Sequence, residues 1–428
     1  MSGALMPVPV RLYTGLAPLL LPLAYQRVRR KLGSHGTDPA RFSERLGHAG
    51  LPRPAGDLMW FHAASVGESL SVLRLIAHLG AMHPRLNFLL TTGTATSAEI
   101  LARRLPPRCQ HQFAPLDSPR AMRRFLAHWA PSAAVFVESE LWPNMLIQTG
   151  RARVPMALLN ARISDRSARK WKRMHRSARY LLGHFALIHA QDARTATHLH
   201  ELGLTHATHG QNLKSVAGPL PYDCAAHDAL GGALAQRPLW VASSTHPGED
   251  EIMLAAHAAL LADHPDLLLI LVPRHPNRAA DIETLIGDHG LSHATRSTGG
   301  ALEAGTQVYL ADTMGETGLF YALSPIVCLG GSFTPVGGHN PYEPAYAGAA
   351  VLHGPLVANF EAAYAEFDAS GGAVQVADAG TLAAALDALL LSPDRLAAQR
   401  AQAGAFAAAQ EDGLDDLSQT LSLALALR

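Results

Sequence analysis

Short apolar runs recur along this chain, and stretches long enough for a helix separate them. In the first half they occupy 58–62, 87–92, 133–137, 156–160 and 186–190; in the second, 239–242, 267–272, 307–310, 326–329, 350–352 and 373–376. A brief, uniformly apolar strand needs cover on both faces. Strands that alternate with helices supply that cover by forming parallel sheets wound on both sides. The pattern predicts an α/β fold of two doubly wound Rossmann-like domains facing each other across a cleft, with ligands at the carboxyl ends of the strands.

The 428 residues, 48% of them hydrophobic, suit two domains with real cores. Gly218-Pro-Leu-Pro221 reads as a stiff linker and hinge. The expected division is an apolar and basic N-terminal segment, 1–32; a first domain, 33–217; a second, 218–404; and a terminal helix, 405–428, within an alanine- and leucine-rich tail over 396–428. Lysine plus arginine balance aspartate plus glutamate at 35 each, so no global field favours nucleic acid. Cys109, Cys224 and Cys328 are isolated, which argues for a reducing compartment and against a disulfide framework or structural zinc. The histidines are scattered. His198 with His200, or His206 with His209, have metal-like spacing, but solvated or internally satisfied histidines explain them better.

Residues 12–25 are apolar, interrupted by Pro18 and Pro22, and followed by Arg27, Arg29, Arg30 and Lys31. The run falls short of the roughly 20 residues of a membrane span. Its charges also follow rather than precede it, the reverse of a secretory signal. A segment lying in the membrane interface, its basic residues facing anionic lipid, is favoured over a helix packed on the protein.

The residues just after the strands are the candidates for chemistry. Ala63-Ala-Ser-Val-Gly-Glu-Ser69 follows the first run, placing Glu68 at the start of a helix expected over 69–79. A carboxylate there can act as a general base, yet on spacing alone a glutamate favoured by the helix dipole explains it better. Glu138-Ser-Glu-Leu-Trp-Pro-Asn144 carries two carboxylates, of which one is expected to face the cleft, and Glu138 is favoured because it ends the apolar run. Thr91-Thr-Gly-Thr-Ala-Thr-Ser97 is equally a ligand-binding turn or a helix cap.

In the second half, Ser243-Ser-Thr-His-Pro-Gly-Glu249, Pro273-Arg-His-Pro276 and Asp312-Thr-Met-Gly-Glu316 occupy the same kind of position. Arg274 offers the planar donor fork that suits phosphate or carboxylate. Gly330-Gly-Ser-Phe-Thr-Pro-Val-Gly-Gly-His-Asn-Pro-Tyr-Glu-Pro344 lets backbone amides approach an anion at a helix start, with Ser332, Asn340 and Glu343 as directed polar groups.

Taken in order with Asn160-Ala-Arg-Ile-Ser164, these blocks resemble the 3-deoxy-D-manno-octulosonic acid (Kdo) transferases of lipopolysaccharide assembly, from the N-terminus to about residue 360. The resemblance implies a glycosyltransferase-B architecture, with acceptor on the first domain and CMP-Kdo on the second. It implies transfer of Kdo, with inversion, to the 6′-hydroxyl of a tetra-acylated lipid A precursor at the cytoplasmic side of the inner membrane. Glu68 would then be the general base, and Glu138 and Lys214 would stabilise the transition state. Pro273, Arg274, Met314, Gly315, Glu316, Asn340, Pro341, Tyr342 and Glu343 would contact CMP. Neither metal nor cofactor is expected: Arg274 and the Gly337-Gly338 amides would meet the leaving phosphate. The expected partners are CMP-Kdo, the lipid A precursor and the membrane surface, with no protein partner. Gly210-Gln-Asn-Leu-Lys214 is one residue longer than the family pattern, which bears on the path of Lys214. A different sugar-nucleotide enzyme of this fold, a UDP-sugar transferase or epimerase, and a silent glycolipid-binding protein are the alternatives.

Overall fold

The computed structural model describes residues 5–210, 212–234, 237–300, 302–410 and 412–427. It divides into two compact units, Met1–Ala217 with Glu411–Arg428, and Gly218–Gln410.

In the first unit β1 (Leu58–His62), β2 (Asn87–Thr92), β3 (Cys109–Phe113), β4 (Ala133–Val137), β5 (Met156–Ala161), β6 (Phe185–Ala190) and β7 (Ala207–His209) form one sheet, ordered β3-β2-β1-β4-β5-β6-β7. All its pairings are parallel. Alternate residues serve opposite cores: Leu58 and Trp60 pack with Phe125, Phe136 and Met145, while Met59 and Phe61 pack with Leu75, Leu79 and Leu90. Neither face meets water, which is why these strands read as continuous apolar runs.

The second unit repeats the plan with β8 (Leu239–Thr245), β9 (Leu268–Pro273), β10 (His293–Thr295), β11 (Val308–Leu310), β12 (Ile326–Leu329), β13 (Ala350–His353) and β14 (Ala373–Gln375). Its order is β10-β11-β9-β8-β12-β13-β14, again all parallel. In the first sheet the chain winds outward from β1, then returns to wind the other way; in the second it passes from β8 to β9, crosses to the edge strand β10, fills in with β11 and then returns to wind the other way. The two reversals lie between β1 and β4 and between β8 and β12. Such reversals open a crevice at the strands' carboxyl ends.

Several expectations need correction. The helix expected over 69–79 is two helices, Val66–Ser71 and Leu73–Met82, meeting at Val72. The tail is also two helices. Pro393–Ala408 belongs to the second unit, whereas Asp412–Ala424 returns to the first, where Leu414, Leu417 and Leu421 pack with Leu75 and Leu79. The apolar N-terminal run lies inside a longer helix, Val8–Ser34, of 27 residues. By length and composition alone this helix is long and apolar enough to cross a membrane. Only Val10 and Leu32 of this helix are buried, and Leu16, Leu19, Leu20 and Leu23 are exposed.

Candidate active site

At the first reversal, Ser65 caps the helix Val66–Ser71 by accepting from the Glu68 N–H (3.3 Å). The Glu68 side chain turns back on the same turn. Its Oε2 accepts from the Ala64 N–H (2.8 Å) and its Oε1 from the Ser65 hydroxyl (2.7 Å). Burial raises the Glu68 carboxyl above its ordinary range, and the charges of Glu138 and Glu140 push the same way, outweighing those two hydrogen bonds. Glu68 therefore completes a helix start, as its spacing allowed, and is also a carboxylate made more basic by its surroundings. Each oxygen keeps a second lone pair for an incoming proton.

Glu138 lies just past β4 in the left-handed region (φ 57°), its N–H still donating to Leu159 O at 2.9 Å. Its Oε1 is 2.8 Å from Lys214 Nζ. The left-handed residue ends the strand's alternation and brings a second carboxylate into the site. Glu140 Oε2 accepts from Trp142 Nε1 and lies 3.5 Å from His62 Nε2. Burial favours its protonation, but His62 and Trp142 hold it below the usual carboxylate range. Both acids of this turn act electrostatically on Glu68.

Asn160, also left-handed (φ 53°), accepts from the Leu213 N–H through Oδ1 (3.1 Å) and so seats the segment that carries Lys214. Asn212 Oδ1 accepts from the Lys214 N–H (3.0 Å). Gln211, where the chain is longer than the family pattern, lies outside the described residues. In the threonine-rich turn the cap is realised: Thr94 accepts from the Ser97 N–H (3.2 Å), while Thr91 is buried and accepts from Trp60 Nε1.

At the second reversal the organising residue is Glu249, to which sequence reasoning gave no role. Fully buried, it accepts from the N–H groups of His246 (2.9 Å), Gly331 (2.6 Å) and Phe333 (2.8 Å), tying the turn after β8 to the glycine loop after β12. The loop amides expected to meet an anion are spent internally. Those of Gly337 and Gly338 both donate to Gly331 O, at 3.1 and 2.6 Å, because the loop closes on itself. Ser332 is likewise turned inward, donating to Leu329 O and accepting from the Gly354 N–H. The helix that the loop opens, Tyr342–Tyr346, is a single short turn.

The expected CMP contacts fall into two groups. Pro273 ends β9, and Arg274 beyond it is exposed, its N–H donating to Thr245 O (3.0 Å). Met314 is also exposed, and Gly315 takes a positive φ of 83°. Glu316 is gripped by both arms of Arg296 (3.1 and 2.7 Å), which lowers its carboxyl. Asn340 Nδ2 donates to Glu343 Oε1 (3.1 Å), and its Oδ1 accepts from the Tyr342 N–H (3.2 Å). Pro341 and Tyr342 are buried, and the Tyr342 ring packs against Phe367 and Phe406, so that side chain serves the core. No group of three or more metal-ligating side chains occurs among the described residues. His198 is taken by Asp165 and His200 by Ala207 O.

Two parallel, doubly wound sheets, each with polar groups gathered at its reversal, are the paired Rossmann-like domains of a glycosyltransferase-B-type fold. Similarity in sequence makes that class specific. Residues 40–217 match the family described as 3-deoxy-D-manno-octulosonic-acid transferase (kdotransferase). The chain is 35% identical to a probable mitochondrial 3-deoxy-D-manno-octulosonic acid transferase of Arabidopsis thaliana, over 90% of this chain and 89% of that one. It is 36% identical to the transferase of Bordetella pertussis (92% and 94% covered) and 33% identical to that of Haemophilus influenzae (89% and 87%). The chain belongs to the 3-deoxy-D-manno-octulosonic acid transferase family, whose members are glycosyltransferases. A glycosyltransferase from Rickettsia africae shares the fold at 12% identity, with a TM-score of 0.59 over 88% of this chain and all of that one.

Proposed function

We propose that this chain transfers Kdo from CMP-Kdo to the 6′-hydroxyl of a tetra-acylated lipid A precursor, with inversion and release of CMP, at the cytoplasmic face of the inner membrane. Family membership supports Kdo transfer in lipopolysaccharide assembly. The observation that carries the mechanism is Glu68, a half-buried carboxylate of raised basicity at the reversal of the first sheet, held by the Ala64 N–H and the Ser65 hydroxyl.

A sugar hydroxyl is a weak nucleophile, so Glu68 takes its proton as the oxygen bonds to the anomeric carbon of Kdo. The bond from that carbon to the phosphate oxygen breaks, and its electron pair stays on CMP. The sugar is oxocarbenium-like in between. Glu138 is suited to face that positive charge, while Lys214, 2.8 Å away, serves the Kdo carboxylate or the departing phosphate. The donor's charge falls to Arg274 and the polar groups at the second reversal, without a resident metal or cofactor. The exposed leucines and following basic residues of the helix Val8–Ser34 suit an inner-membrane lipid surface.

The test is transfer in vitro from CMP-Kdo to the tetra-acylated precursor, read by mass spectrometry, with a competition between CMP and UMP. Product heavier by Kdo, reduced about 100-fold or more in E68Q while CMP affinity holds, is the expected result. Normal turnover in E68Q removes Glu68 as base, and preference for UMP overturns the donor.

A further inference from the structure

Across the reversal of the second sheet, two imidazoles meet. His246 follows β8 and His339 lies in the loop after β12; their rings are nearly parallel (9°) with centroids 5.3 Å apart, and they meet edge to edge with their Nε2 atoms 3.0 Å apart. Such a contact needs one N–H and one lone pair, so the two Nε2 atoms share a single proton.

The arrangement is built rather than incidental. Gly331 has a φ of 66°, and a Cβ there would come within 2.8 Å of the His339 ring. Glu249 Oε2 accepts from both the His246 and Gly331 N–H groups, fixing the two loops to each other. His275 stands edge-on to His246 at 5.9 Å, and Arg274 is exposed beside it. Arg278 is held by Asp250. Burial lowers His339 to about 4, with His246, Arg274 and His275 pushing the same way. Burial also lowers His246, against the pull of Glu249 and with the help of His275, Arg274 and Arg278. At neutral pH the pair is uncharged. Gly330, Gly331, Phe333, Gly337 and Gly338 spend their amides inside the protein, so at this reversal more of an anion's contacts fall to side chains.

We infer that the His246–His339 pair is the seat of the donor's phosphate, and that it takes up one proton when the phosphomonoester of CMP occupies it. This rests on the reading of the second unit as the CMP-Kdo domain. The donor holds a phosphodiester monoanion. When its sugar–oxygen bond breaks, the electron pair leaves a monoester whose second pKa is about 6, hence a dianion at neutral pH. A proton from solvent converts the pair to an imidazolium that faces the added charge. The acceptor's own proton goes separately, to Glu68. The pair thus distinguishes product from donor by charge.

Calorimetric titration of the full-length protein with CMP at pH 7.5, in two buffers of different ionisation enthalpy, counts the protons taken up. Wild type is expected to take up close to one proton. H246Q and H339Q are expected to take up almost none and to bind CMP about ten-fold or more weakly, with cytidine affinity unchanged. CMP binding by wild type without proton uptake overturns the inference whatever the variants do, as does full uptake in folded H246Q and H339Q. Wild-type preference for UMP over CMP, by contrast, fails the donor reading itself.

Discussion

Glutamine at position 249 isolates how the second unit holds its glycine loop. The wild-type carboxylate is fully buried and accepts three backbone N–H bonds, those of His246 and Gly331 on one oxygen and that of Phe333 on the other. Glutamine keeps one oxygen. In its better orientation that oxygen retains His246 and Gly331, and the amide NH2 confronts the Phe333 N–H, donor against donor. An unsatisfied buried donor costs about 1–3 kcal/mol, and each retained bond loses about 1 kcal/mol of charge assistance. Relief from burying a charge offsets about 1–2 kcal/mol of this. The net loss expected for E249Q is about 1–4 kcal/mol, or a fall of several degrees in melting temperature for a unit of this size. Alanine, which loses all three acceptors, costs more. Thermal unfolding with hydrogen exchange read on peptides covering 243–250 and 326–345 measures both size and place. If E249Q lies within about 1 kcal/mol of wild type and keeps protection at 330–333, the carboxylate is not what holds the loop.

Because the Glu68 carboxyl is raised, kcat/KM should fall with decreasing pH along a limb above the ordinary carboxylate range; E138Q, by removing a neighbouring negative charge, should move that limb to lower pH while reducing the rate. A raised folded pKa also means that ionised Glu68 costs stability above it, so E68Q should melt no lower than wild type at pH 7.5 in calorimetry. G331A combines left-handed strain of about 1–2 kcal/mol with a clash at His339, and should lose CMP affinity in titration; unaltered binding would show that His339 is free to give way. Serine at Leu16, Leu19, Leu20 and Leu23 together should weaken pelleting with anionic vesicles and leave melting temperature unchanged, because Val10 and Leu32 keep the helix docked; undiminished pelleting would place the lipid contact elsewhere.

Strands buried on both faces are legible because nothing but apolar side chains fits them, and β1, β2, β4 and β12 fall where their runs place them. The strands that escaped, β3, β7 and β10, all lie at sheet edges. Ala-Thr-His and His-Ala-Thr are only three residues long, and the polar residues of Cys-Gln-His-Gln-Phe are buried through internal bonds, His111 with Thr92 and Gln112 with Trp129, so all three leave little apolar pattern to read. The site divides similarly. Glu68, Glu138 and Arg274 sit directly after apolar runs and could be found by position. Glu140 was passed over because the turn at Glu138 leaves no trace in side-chain type. Glu249 meets Gly331 and Phe333 across more than 80 residues, and His246 meets His339 across 93. Such contacts belong to the sheet order and to no local motif. The glycine loop misled in the opposite sense: its composition promised open amides, but its own folding consumes several of them.

The return of the helix Asp412–Ala424 to the first unit bears on how the protein is made. The second unit is in effect an insertion within the first, so the ribosome finishes it before the first can close. Until the last residues emerge, the surface formed by Leu75 and Leu79 lacks the leucines at 414, 417 and 421, each worth about 1.5–3 kcal/mol when buried. A chain released near residue 410 therefore carries a complete second unit and a first unit whose leucine surface is uncovered. That intermediate is the natural client for a chaperone, and a premature stop in the tail would condemn the domain at the opposite end of the gene.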